Sequence, residues 1–121
     1  MHKMSVKVTE AVDGLHCWPE ATPNRSYLRY SHRHKFTVTV YAEVTHANRH
    51  IEFHDLQDRV MESLISLATP KSAAKGLMDF CDSSCETIGI HILKELPYVD
   101  KVEVMEDSEC GAVVERGSSD E

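Results

Sequence analysis

The sequence predicts an α+β fold, an antiparallel sheet with two helices packed on one face, and three observations carry that prediction. Apolar residues alternate with period two in two early segments, recur at helical spacing in two middle segments, and alternate again near the C-terminus. The order is strand, strand, helix, helix, strand, strand, and a run of this kind closes as a sheet whose helices share a face.

The first strand spans residues 5–12, where Val6, Val8, Glu10 and Val12 alternate with Lys7, Thr9 and Ala11. Asp13-Gly14 is expected to end it. Residues 15–26 hold Pro19 and Pro23 and have no period, so they form a connection. Such long loops tend to be functional or disordered. The second strand places Phe36, Val38, Val40, Ala42 and Val44 on one face and Lys35, Thr37, Thr39, Tyr41 and Glu43 on the other. Residues 45–49 read as a turn and Ile51-Glu52-Phe53 as a short strand end. His54 or Asp55 then opens helix one, whose core stripe is Leu56, Val60, Met61, Leu64, Ile65 and Leu67. Residues 68–76, with Pro70, break the pattern. Ser83-Ser84-Cys85-Glu86 has the spacing of a capping box from Ser83 to Glu86. It starts helix two, with Ile88, Ile92, Leu93 and Leu96 inward and Pro97 as its stop. Val102, Val104 and Glu106 share one face of the third strand, residues 112–115 make the last strand, and residues 116–121 form a polar tail expected to fray.

At 121 residues the chain fits one domain, residues 1–121. No apolar run approaches the ~20 residues of a membrane span, and no apolar signal region follows the N-terminus, so the expectation is a cytoplasmic protein with no membrane partner. A net charge of -7 argues against nucleic acid as a partner. The four cysteines form no paired framework and are expected to be thiols. Cys81 and Cys85, four apart, could share a helical face and hold a metal, but ordinary thiols are the simpler reading.

The chemistry gathers at His32 and His34. They share the parity of the apolar set of strand two, so their imidazoles lie side by side at its mouth, where one cation can bridge them. Tetrahedral zinc needs a third protein ligand. If the first two strands pair antiparallel, His16, just beyond the end of the first, approaches the start of the second and supplies it. His54 reads as a structural loop residue, and His46, His50 and His91 as surface residues.

This order of elements, with His16, His32-Arg33-His34, the stretch from Ile51 to Gln57, Ser84-Cys85-Glu86-Thr87-Ile88 and Val104-Met105-Glu106, resembles the 6-pyruvoyl and 6-carboxy tetrahydropterin synthase family. The resemblance covers nearly the whole chain. It implies the tunnelling fold, with ββααββ subunits assembled as a homo-oligomeric barrel, a trimer or hexamer, and active sites between subunits. It also implies Zn²⁺ held by His16, His32 and His34, action on 7,8-dihydroneopterin triphosphate, and a pterin ring held by Glu106. A carboxylate suits that ring because it accepts two parallel N–H bonds from its amidine edge. Glu86 and Arg29 are further candidate ligand-binding residues, although capping alone accounts for Glu86. Arg25, Arg29 and Arg33 are expected to cluster around the site and to suit a triphosphate leaving group.

The sequence also departs from the family. Leu28 stands where the catalytic cysteine is expected, four residues before the first histidine of the pair, and Arg33 replaces the usual glycine between the two. The family's Asp-His pair survives only as an echo, with Asp79 followed by Phe80. Cys17, Glu20 and Asp79 are therefore the candidate proton-transfer residues, with Tyr27 and Tyr30 nearby. Two functions follow from this: a zinc-dependent pterin lyase-like enzyme with an altered proton-transfer set, or a non-catalytic oligomer that binds a pterin or purine-derived ring. A purely structural zinc oligomer is a third, weaker reading.

Overall fold

The structure, a computed structural model, describes residues 2–69 and 77–117. Residues 70–76 of the expected inter-helix loop and 118–121 of the expected tail lie outside them. The elements in order are β1 (Met4–His16), a 3-10 segment (Pro23–Arg29), β2 (His32–Val44), α1 (Phe53–Leu67), β3 (Met78–Asp79), α2 (Cys85–Glu95), β4 (Lys101–Glu106) and β5 (Cys110–Glu115).

The strands form one sheet in the order β3-β1-β2-β4-β5. The pairs β1–β2, β2–β4 and β4–β5 are antiparallel, as the alternation predicts. The two-residue β3 is an addition to the expected order, and it runs parallel to the end of β1. Helix α1 packs on β1, α2 packs on β4 and β5, and the two helices touch each other. Between helices and sheet lies the core, in which Phe36, Val38, Val40, Val102 and Val104 meet Leu56, Val60, Leu64, Ile88 and Ile92. Each such side chain contributes roughly 1.5–3 kcal/mol when fully buried. Among the described residues no helix is long and apolar enough to cross a membrane.

Several expected boundaries move. Strand β1 does not stop at Asp13-Gly14 but runs on to His16. Gly14 is no turn residue: a Cβ there would lie 2.8 Å from Phe36 Cδ2 and 3.0 Å from Phe80 Cε2, so it makes room for two core rings. Ile51-Glu52-Phe53 is not a strand end, because Glu52 is the N-cap of α1 and its carboxylate accepts from the Asp55 N–H at 3.0 Å. Those backbone N–H groups hold the Glu52 carboxyl below its ordinary range. The N-cap of α2 is Ser84 rather than Ser83: its hydroxyl accepts from the Thr87 N–H at 3.1 Å. Glu86 therefore takes no part in a capping box. Cys81 sits in the turn before the helix at φ 57, so it shares no helical face with Cys85. Arg116, expected to begin the frayed tail, is instead anchored, its guanidinium donating to the Leu93 and Val99 carbonyls at 2.8 and 2.9 Å.

Candidate metal centre

Strand register assembles the three histidines. His16 lies directly across from His32, and Gly14 across from His34, so His34 is the diagonal neighbour of His16. All three follow the parity of the core-facing residues and sit at the end of the core stripe, over Phe36. Their ring centroids are 4.6 Å apart for His16–His32, 5.3 Å for His16–His34 and 4.9 Å for His32–His34. One ligand nitrogen from each falls within 4.8 Å of the others. His16 is the last residue of β1, not a loop residue beyond it.

The outer nitrogens decide what the inner ones can do. His16 Nδ1 is 2.9 Å from the Ser83 carbonyl, His32 Nδ1 is 2.9 Å from the Tyr30 carbonyl, and His34 Nδ1 is 2.6 Å from Asp107 Oδ2. Carbonyl and carboxylate oxygens only accept, so each Nδ1 carries the hydrogen and donates it outward. Each neutral ring then keeps a lone pair on Nε2, the arrangement in which outer hydrogen bonds orient histidine ligands for a metal. Burial pushes the His16 pKa below its ordinary value, which favours this neutral form. Asp107 is well placed for its part. It sits in the β4–β5 turn with φ 54, its other oxygen accepts from the Lys35 N–H at 2.9 Å, and the His34 contact depresses its carboxyl pKa. Three neutral imidazoles are a donor set that suits Zn²⁺ and leaves a position open.

Glu106 reaches the same point. Its Oε2 is 3.1 Å from His16 Nε2, and its Oε1 is 3.5 Å from His34 Nε2. The buried Cys85 thiol donates to Oε2 at 3.4 Å. Burial first, and then the charge of Glu106, push that thiol up to about 12, so it remains an S–H donor at neutral pH.

The centre opens into a cavity of about 530 Å³. His16, His32 and Glu106 line it, together with Cys17, Cys85, Cys110, Trp18 and Leu28. The excursion between β1 and β2 closes that side, because the Trp18 N–H donates to the Leu28 carbonyl at 2.7 Å. Among the predicted residues, Glu86 and Cys17 line the cavity, but Glu20, Arg29 and Asp79 do not. Arg29 spends its Nε on the Ala21 carbonyl at 2.9 Å, and Asp79 accepts from the Cys81 N–H at 2.9 Å. Arg33 projects to the other face of β2, 3.4 Å from Asp13, and Arg25 binds the Asn24 carbonyl. The expected arginine cluster therefore does not form in the described chain. Among the described residues, those lining the cavity include Asp82, Glu86 and Glu106 but no lysine or arginine. Tyr27 and Tyr30 are 64% and 75% exposed and also lie outside the lining. Asp107 and the cavity role of Cys85 escaped the sequence reading. The turn signal Asp107-Ser108 directly after Glu106 was the one available cue to the former.

The sequence matches no family model, and no curated relative matches it. Its structure, however, is similar to that of 6-pyruvoyl tetrahydropterin synthase from Caenorhabditis elegans, with a TM-score of 0.66 and 10% identity over 97% of this chain and 98% of that one. It is likewise similar to an uncharacterized protein from Wolinella succinogenes, with a TM-score of 0.67 and 15% identity over 97% of this chain and 100% of that one. At such identities the likeness is one of fold: this chain has the α+β architecture of the tetrahydropterin synthases.

Proposed function

We propose that this chain is a zinc-dependent pterin lyase-like enzyme of the cytoplasm, acting on 7,8-dihydroneopterin triphosphate or a related pterin as a homo-oligomer. The observation that carries this reading is the set of three Nε2 atoms left by outward-donating Nδ1 atoms, beside a carboxylate and next to a cavity that His16 and His32 line. The fold shared with a 6-pyruvoyl tetrahydropterin synthase supports the pterin class.

His16, His32 and His34 would hold the zinc, and the ion would supply Lewis acidity towards an oxygen of the ligand. Glu106 accepts the N–H pair of the ring's amidine edge and so sets its orientation. Cys85 holds that carboxylate in place through its S–H. Trp18 and Leu28 exclude water from the ring. In an elimination, a proton leaves carbon while the triphosphate departs with the bonding pair. Cys17, lining the cavity one residue from His16, is the thiol placed to exchange that proton. Glu86 faces the same space, whereas Glu20, Asp79 and Arg29 would need a second copy of the chain to reach it. Open sheet edges at β3 and β5 favour such copies, as a trimer or hexamer.

A second reading, a non-catalytic oligomer that binds a pterin or purine-derived ring, is favoured by two observations. Leu28 occupies the lining where a proton-transfer group is expected, and among the described residues the lining offers a polyphosphate no lysine or arginine. One experiment separates the two. Zinc-loaded protein is incubated with 7,8-dihydroneopterin triphosphate, and inorganic triphosphate is measured against a His34→Ala control. Release above the control is expected. Ring binding without release, at one zinc per chain, would transfer the proposal to the binding oligomer.

A further inference from the structure

Acceptors do not gather without something positive among them. The Nδ1 atoms of His16 and His34 are committed to outward donation, so in the neutral rings Nε2 only accepts. An ionised carboxylate also only accepts. Yet Glu106 spans both nitrogens, with Oε2 at 3.1 Å from one and Oε1 at 3.5 Å from the other. Something positive therefore sits at these nitrogens, either a ring proton or a metal ion, and the metal-binding reading supplies the ion. Glu106 is also held from behind, because Cys85 at the start of α2 donates its S–H to Oε2 at 3.4 Å.

We propose that Glu106 is a displaceable fourth ligand of the three-histidine centre, closing it before a ligand enters and leaving it when one does. The inference rests on the metal-binding reading above and deepens it. Three neutral imidazoles leave the full charge of a divalent ion uncompensated in a largely buried place, and a carboxylate offsets part of that charge. A ring with two adjacent N–H donors draws the carboxylate away by offering it a bidentate contact instead. Ring binding and the opening of a coordination position thereby become one event. The ligand class this selects is a heterocycle with an amidine-type donor edge, whereas an anion lacking such donors must displace the carboxylate unaided.

The test uses the full chain with cobalt(II) in place of zinc, and reads metal stoichiometry, metal affinity and the visible absorption spectrum. Imidazole is the probe of the open position, chosen because it is neutral and does not report the lost charge. Wild-type protein is expected to bind one cobalt per chain and to resist imidazole. Glu106→Gln is expected to keep that stoichiometry, change the spectrum, bind cobalt roughly 10-fold or more weakly, and take up imidazole at a lower concentration. Cys85→Ala, which leaves the carboxylate in place, is expected to shift the imidazole response in the same direction by less, and carries the test if Glu106→Gln does not fold. An unchanged spectrum and imidazole response in the variants overturn the role of Glu106 and leave the three-histidine centre standing. Weaker metal binding with an unchanged spectrum overturns it too, since a carboxylate acting only through hydrogen bonds does that. If the wild-type chain takes up no cobalt, the metal reading falls, and this inference with it.

Discussion

Gly14 shows how a single residue carries the site. It stands opposite His34, and the space a side chain would need is filled by the edges of Phe36 and Phe80. Gly14→Ala is expected to cost about 1–3 kcal/mol through overpacking, read as a lower denaturant midpoint, and to loosen the ring stack beneath the histidines. His32→Ala should remove zinc, because two imidazoles do not complete the set; full zinc content in that variant, by elemental analysis, would sink the metal assignment. Cys85 sets a pH dependence whose sign follows from its raised pKa. Its thiol ionises at about 9.0 when unfolded but only at about 12 when folded. Between those values the unfolded chain holds fewer protons, so stability falls as pH rises, by at most about 1.4 kcal/mol per pH unit. Cys85→Ala should flatten that slope in urea titrations between pH 9 and 11. Thiol labelling at pH 8 should spare Cys85 while modifying the exposed Cys110.

At the scale of elements, the start of α2 discriminates between two adjacent serines. Ser84 supplies the capping hydroxyl, whereas Ser83 bonds through its backbone, its carbonyl to His16 and its N–H to the Phe80 carbonyl. Ser84→Ala is expected to lower stability by about 1 kcal/mol, whereas Ser83→Ala should be close to neutral because a backbone acceptor survives the change. Equal effects in thermal melts would contradict the assigned cap. The spacing of Ser83 and Glu86 was a sound signal that a helix starts there. It could not decide which serine has the extended backbone of a cap, since both precede an acidic residue. The β1–β2 excursion is similar. Its prolines announced a loop, but the hydrogen bond from Trp18 to Leu28 that folds it over the cavity joins residues whose partnership leaves no mark in the sequence.

For the molecule as a whole, Arg116 ties the end of the sheet to the end of α2. Its guanidinium reaches the Leu93 carbonyl, in the last turn of the helix where carbonyls lack intrahelical partners, and the Leu96 and Val99 carbonyls beyond it. Arg116→Ala is expected to destabilise the chain by about 2 kcal/mol, and Arg116→Lys by less, since an ammonium cannot span several carbonyls as a planar fork does. Chemical denaturation of the two variants beside the parent checks that order. Truncation after Glu115 should behave as the alanine variant does.

Period-two and helical alternation by themselves determined four of the five described strands, the two helices, their order and the single helix-covered face, because burial on one side is written into which residues are apolar. The His32–His34 pair was equally legible, since parity alone puts both rings on one face. What only the tertiary structure decided was everything set by register and by chain reversal. The antiparallel pairing of His16 with His32 makes a third ligand out of a residue sixteen positions away. Ser83, Tyr30 and Asp107, from three separate segments, turn the nitrogens of the rings. The arginines that sequence proximity gathered near the site point elsewhere, because neighbours on a strand face opposite sides and a loop carbonyl claimed Arg29 first.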